Sequence, residues 1–201
     1  FFMQKELVYM SDHIDFYFDI ISPYAYIAHK KILRHKNIIF NYKPIFLGGL
    51  HNLAGIDAPA FNKFKMKNMI NDCNVVSERN NIKFKWNSNF PINSLNIMRG
   101  YLCINKNKKS NYLNTFFDAY WKDNQDLSKI ENIATLLSKI KIDSEEFFNS
   151  IKEQSIKNKL KNLTSEAFGK EVFGAPTFIV NNKIFWGQDR LEYALDELNN
   201  S

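Results

Sequence analysis

Strand signals in this chain are confined to its two ends, and between Phe46 and Gly174 helical periodicity takes their place. Any sheet must therefore be assembled from segments far apart in sequence. Near the start, Ile14 to Asp19 (IDFYFD) is aromatic and β-rich. It is followed by Ser22-Pro23, a serine ahead of the proline that helices favour at their first position. Tyr24, Ile27, Ala28 and Ile32 then share one helix face at spacings of three and four. A second strand is expected from Ile38 to Tyr42, ending before Pro44. Strand, helix and strand of these lengths make a right-handed, parallel βαβ unit. At the far end, Thr177 to Val180 and Lys183 to Trp186 flank Asn181-Asn182, a two-residue hairpin whose turn residues tolerate positive φ. A last helix over Asp189 to Leu198 puts Leu191, Ala194, Leu195 and Leu198 on one face.

The block between is expected to open with loops at Gly48-Gly49 and Gly55 to Pro59. Helices are expected over Phe61 to Glu78, Asn93 to Leu102, Tyr112 to Trp121 and Ser155 to Phe168. Ser128 with Glu131 and Asp143 with Glu146 mark two further helix starts of the capping-box type. The stripe Phe116, Phe117, Tyr120 and Trp121 is assigned to core packing. The domain reading is one sheet-bearing unit from 12–45 and 170–201, interrupted by a helical insertion over 46–169.

A chain of 201 residues can bury a sizeable core. Its longest apolar runs fall far short of a membrane-spanning helix. Phe1 to Met10 contains Lys5 and Glu6 and no small-residue cleavage pattern, so it does not read as a signal peptide. The net charge of +6 is spread among Asn and Ile rather than gathered in a stripe, which argues against nucleic acid and for mild attraction of small anions. The two cysteines, Cys73 and Cys103, stand in apolar-periodic stretches with no histidine at metal-ligand spacing, so no metal is expected. Both are expected to be inert thiols in a reducing, cytoplasmic setting.

The βαβ and ββα halves resemble the thioredoxin fold, giving an α/β class: a thioredoxin-like fold (βαβ + ββα) with a large all-helical insertion. In that fold the first helix presents a Cys-Pro-x-Cys motif. This chain reads Ser22-Pro23-Tyr24-Ala25, and without sulfur at either position it cannot run dithiol exchange. What remains is a hydroxyl at a helix N-terminus, suited to an anion such as a ligand's thiolate. The alternative is that Ser22 is simply an N-cap. Gly174-Ala175-Pro176-Thr177-Phe178 carries the proline that is cis in thioredoxin-like proteins, which leaves Ala175 to pair with a peptide ligand; the alternative is a trans proline opening an edge strand. Gln188-Asp189 follows Trp186-Gly187, and Asp189 reads either as a contact for an ammonium or carboxylate or as a helix cap.

With DFYFDIISPYAYIA (Asp15 to Ala28), FLGGL (Phe46 to Leu50), FPINSLNIMR (Phe90 to Arg99), GAPTF (Gly174 to Phe178) and GQDRLE (Gly187 to Glu192) in this order, the chain resembles the 2-hydroxychromene-2-carboxylate isomerases and the related kappa-class glutathione transferases. The resemblance implies glutathione as cofactor, a small aromatic-derived electrophile as substrate, and a homodimer. It implies that Ser22 contacts the glutathione sulfur at the start of the Pro23-Tyr24 helix, that Ala175 beside Pro176 pairs with the peptide, and that Gln188 and Asp189 hold the γ-glutamyl end. Where the family shows Gly-Asn after its paired glycines and a lysine, this chain has Asn52 and then Gly55-Ile56; Ile56 falls at the glutathione-contacting position but has no side-chain amide to offer. Three functions are compatible with this pattern: isomerisation by reversible thiolate addition, conjugation, and binding without catalysis.

Overall fold

The computed structural model describes residues 12–200, so the reading of Phe1 to Met10 lies outside the described residues. Four strands form one sheet in the order β2-β1-β3-β4, where β1 is His13–Phe18, β2 Ile39–Pro44, β3 Thr177–Val180 and β4 Lys183–Trp186. β1 runs parallel to β2, from His13 opposite Ile39 to Phe18 opposite Pro44, and antiparallel to β3, with Phe16 opposite Phe178. The hairpin turns at Asn181 (φ 50°) and Asn182 (φ 61°), both left-handed as the turn type demands. α1 (Pro23–Ile32) crosses from β1 to β2, and α9 (Leu191–Asn199) follows β4. The sheet is thus the expected βαβ plus ββα, closed by pairing the two ends of the chain.

Between β2 and β3 lie α2 (Leu47–Ala54), α3 (Lys63–Arg79), α4 (Leu95–Cys103), α5 (Lys109–Trp121), α6 (Ile130–Lys139), α7 (Ser144–Ser150) and α8 (Gln154–Gly169). β1 is buried on both faces. Ile14, Phe16 and Phe18 join the main core, in which Ile27 of α1, Phe116 and Phe117 of α5 and Leu195 of α9 also lie, while Tyr17 joins a smaller cluster with Leu50, Ala167 and Val172. Phe116, Phe117, Tyr120 and Trp121 are all buried, and the Trp121 ring nitrogen donates to the Ile20 carbonyl at 2.8 Å. That bond ties α5 to the loop just ahead of Ser22.

Two sequence expectations are corrected. Gly48 and Gly49 lie in a helix rather than a loop, because long-range partners hold its start. The Phe46 N–H donates to Thr164 Oγ1 at 3.0 Å and the Leu47 N–H to Asp19 Oδ2 at 2.8 Å. The glycines let the Phe46 ring close on the helix: a Cβ on Gly49 would sit 3.0 Å from it. Tertiary contact has overridden poor propensity. The second correction concerns Ser128, which does not cap α6. Its N–H and hydroxyl both turn back to Asp126 Oδ1, at 3.1 and 2.6 Å, since a carboxylate two residues away is the stronger acceptor. The start at Asp143 is as expected, with its carboxylate accepting the Glu146 N–H at 2.8 Å.

Candidate functional site

β1 delivers the chain to Ser22, which has extended φ/ψ (−83°, 117°) and caps α1. Its hydroxyl oxygen accepts the Ala25 N–H at 3.1 Å, and its hydrogen goes to the Ala175 carbonyl at 2.8 Å. Cap and long-range tether therefore coexist at one atom, across 153 positions of sequence. The peptide bond from Ala175 to Pro176 is cis. The Pro176 carbonyl accepts the Gly187 N–H at 3.0 Å, which draws the loop after β4 onto the same spot. Gly187 adopts φ 115°, a left-handed value that favours glycine. Gln188 follows, buried, with its side-chain oxygen 2.6 Å from Lys31 Nζ of α1.

Ser22, Pro23, Ala175 and Pro176 are accordingly brought together at the N-terminus of α1, with Tyr24 half-buried beside them, while Gln188, one residue past the Gly187–Pro176 bond, is tied to Lys31 in the last turn of α1. Asp189 is exposed and makes no cap bond; its carboxylate lies 3.4 Å from Arg190, and Gly187 and Arg190 occupy the cap positions instead. Ile56 is not joined to this group. It follows the left-handed Gly55 at the far end of α2 and is exposed, its N–H bonded to the His51 carbonyl at 3.0 Å.

The donors left at the site are specific. Pro23 has no N–H, the Ala25 N–H is taken by Ser22, and the Tyr26 N–H bonds the Ser22 carbonyl. Among the described residues no group accepts the N–H of Tyr24 or of Ala175. Two main-chain donors and one hydroxyl thus surround the positive end of α1.

Asp19 was not singled out by sequence reasoning, yet it organises the loop. It is fully buried, and its carboxylate accepts the Ile21 N–H (3.1 Å), the Leu47 N–H (2.8 Å) and the Ser94 hydroxyl (2.9 Å), while its carbonyl accepts the Ser22 N–H at 3.1 Å. One side chain so connects the end of β1 to the starts of α2 and α4. Burial pushes its pKa up to about 6 despite three opposing hydrogen bonds. The one signal available was an acid ending an otherwise apolar strand.

The cysteines do not supply a reactive thiol. Cys73 is buried beside Tyr24, and burial, helped by Asp72, pushes its pKa well up. Cys103 donates to the Arg99 carbonyl at 3.3 Å and is pushed up to about 11, chiefly by burial. Neither is a thiolate at neutral pH. Replacing both with serine should spare the chemistry of the site and lower stability by about 1 to 3 kcal/mol through the hydroxyl placed at the buried Cys73 position. Loss of activity in a double variant shown by circular dichroism to be folded would bring a protein thiol back into the mechanism.

Comparison with known proteins agrees with this geometry. A 2-hydroxychromene-2-carboxylate isomerase from Sphingobium xenophagum is 23% identical over 189 residues, covering 92% of this chain and 96% of that one. The glutathione S-transferase kappa 1 of Rattus norvegicus is 19% identical over 197 residues, covering 89% and 87%. The solved structure of a 2-hydroxychromene-2-carboxylate isomerase superposes with a TM-score of 0.85 at 22% identity, covering 93% of this chain and 94% of that chain. The family described as a "DSBA-like thioredoxin domain" matches residues 13–199, which takes in the sheet, the intervening helices and the cis-proline loop. With its sheet order, its helix-capping Ser22 and its cis Pro176 all inside that match, this chain belongs to the DSBA-like thioredoxin domain family.

Proposed function

We propose that the chain is a glutathione-dependent isomerase of the 2-hydroxychromene-2-carboxylate isomerase type, acting on a small unsaturated, aromatic-derived substrate. The observation that carries this reading is the Ser22 hydroxyl at the positive end of α1, bonded to the carbonyl of the residue before cis Pro176, where redox members of the fold would hold sulfur. Bound glutathione would supply a thiolate able to add to a conjugated double bond and leave again once rotation has occurred.

The residues present fit that group. The Ala175 N–H suits a peptide carbonyl in an extended ligand. The Tyr24 N–H and the α1 dipole favour negative charge beside Ser22. The Ser22 hydroxyl has one hydrogen, now given to Ala175. Turning it to an anionic sulfur exchanges a neutral bond of about 1 kcal/mol for a charge-assisted one of about 1.5 to 3 kcal/mol. Pro23 and Pro176 would shape the wall, and Gln188 and Asp189, on the loop that Gly187 ties to Pro176, would meet the polar γ-glutamyl end. Ile56 has no polar side-chain group and its N–H is taken by the His51 carbonyl, so the contact that the resemblance implies at this position would be missing. The same donors would favour negative charge that develops on a substrate held beside them.

Calorimetric titration with glutathione tests binding. Catalysis is tested by following free thiol while an ortho-hydroxybenzylidenepyruvate turns over with catalytic glutathione. Many turnovers at constant free thiol are expected. Thiol loss matching product formed would instead assign conjugation of the kappa-class type, and no binding at millimolar glutathione would leave a non-catalytic thioredoxin-fold protein.

A further inference from the structure

A cavity of about 870 Å³ opens at the opposite end of α1 from Ser22, against the outer strand β2 and the α4–α5 junction. Leu33, on its wall, stands eleven positions beyond Ser22, about 16 Å along the helix axis, so this space is separate from the site above. Phe40 and Tyr42, alternate residues of β2, build one wall together with Ile38 just before the strand. Tyr101 from α4 and Leu113 from α5 line it too.

Asn41, Asn105 and Ser110 also line this space, and the charges that line it are all of one sign. Lys36, Lys106 and Lys109 line it, and none of them meets a carboxylate among the described residues. Asp15 lies behind Asn41, whose amide donates to it at 2.9 Å, and it also faces His13 and Lys43, while Asp143 and Glu146 line an adjoining recess beyond Ile104 and Asn105. Lys109 is half-buried with Nζ 4.6 Å from the Tyr101 ring centroid. Burial, with Lys159 and Lys106 nearby, depresses its pKa, so its charge gains from an anion. Beneath the lysines, His29 is buried and neutral. Its Nε2 faces the accepting Asn114 Oδ1 at 2.8 Å and so carries the hydrogen, leaving Nδ1 to accept from the Tyr42 hydroxyl at 2.7 Å. That chain holds the Tyr42 ring upright as a fixed aromatic wall.

We propose that this cavity is a second binding site, for a planar aromatic carboxylate, with the ring against Phe40, Tyr42 and Tyr101 and the carboxylate at Lys106 and Lys109. The volume lies within the range of small-molecule pockets. The rings favour offset or edge-on stacking over a floppy acyl chain, and the unpaired lysines favour an anion over a neutral ligand.

The test titrates the full chain with 2-naphthoate and with the isosteric, uncharged 2-naphthamide, by calorimetry and by following methyl signals of Ile104 and Leu113. Naphthoate should bind at least tenfold tighter than the amide and move those signals. Lys106→Gln with Lys109→Gln should weaken it about tenfold or more, as one charge-assisted contact implies. Ser110→Trp, at the exposed rim, should abolish binding without disturbing the core. Saturating glutathione and Ser22→Ala should leave it unchanged. Equal affinity for acid and amide, no binding, or competition by glutathione would each overturn the proposal. None of these outcomes depends on whether Ser22 supports isomerisation.

Discussion

Ser22→Ala is expected to lower glutathione-dependent turnover by about 10- to 150-fold, the range corresponding to loss of one hydrogen bond to a charged atom. The hydroxyl is the side-chain donor that sits at both the α1 N-terminus and the Ala175 carbonyl, so no neighbour replaces it. The variant also loses an N-cap, a cost of about 1 kcal/mol, and leaves the Ala175 carbonyl short of a partner. Rates must therefore be compared well below both melting temperatures, with circular dichroism showing equal helix content. The loss should fall mainly on kcat, because the Ala175 N–H and the Gln188 region would still hold the peptide. Equal kcat for variant and parent would remove Ser22 from the mechanism.

Asp19→Ala is expected to be the most destabilising single change at this site. It strands two main-chain N–H groups and the Ser94 hydroxyl, costing about 3 to 5 kcal/mol. The size should depend on pH in a definite direction. In the folded chain burial holds the Asp19 pKa at about 6, above its ordinary 3.8, so the folded state binds the proton more tightly than the unfolded one. Asp19 thus contributes stability that is fully present below about pH 4 and lost as pH rises through 6. Between pH 7.5 and 4.5 the parent gains about 2 kcal/mol from this group, and the variant gains none of it. Urea denaturation of both proteins at the two pH values should show a larger difference at pH 4.5. A difference that stays constant would mean that folding leaves the Asp19 pKa unshifted, and one that grows with pH would mean that folding lowers it.

What could be read from the residues was whatever local chemistry decides. Asn181-Asn182 requires left-handed turn residues and adopts them, Ser22-Pro23 starts a helix, and Asp143 caps one. What escaped was decided by contact across the chain. Gly48 and Gly49 are helical because Asp19 and Thr164 hold the helix start from elsewhere. Asp19 itself looks like the polar end of a strand until α2 and α4 fold against it. The cis bond at Ala175-Pro176 was expected from resemblance, whereas the one at Phe90-Pro91 carried no local signal. For the candidate site, the motifs named Ser22, Ala175, Pro176 and Gln188, but not the bond from Ser22 to Ala175, nor the separation of Ile56 from the rest.

The sheet order has a consequence in time. β1 lies between β2, made soon after it, and β3, made only after α2 to α8. At translation speeds of about 5 to 20 residues per second, the interval is on the order of ten seconds. Throughout it the growing chain has a βαβ unit with one finished edge and one open edge along Asp15, Phe16 and Tyr17, an apolar strand edge of the kind that recruits neighbours. The ribosome-bound chain is thus exposed to wrong pairing until the GAPTF segment emerges. That same segment brings Ala175 to Ser22, so closing the vulnerable edge and assembling the site are a single late event.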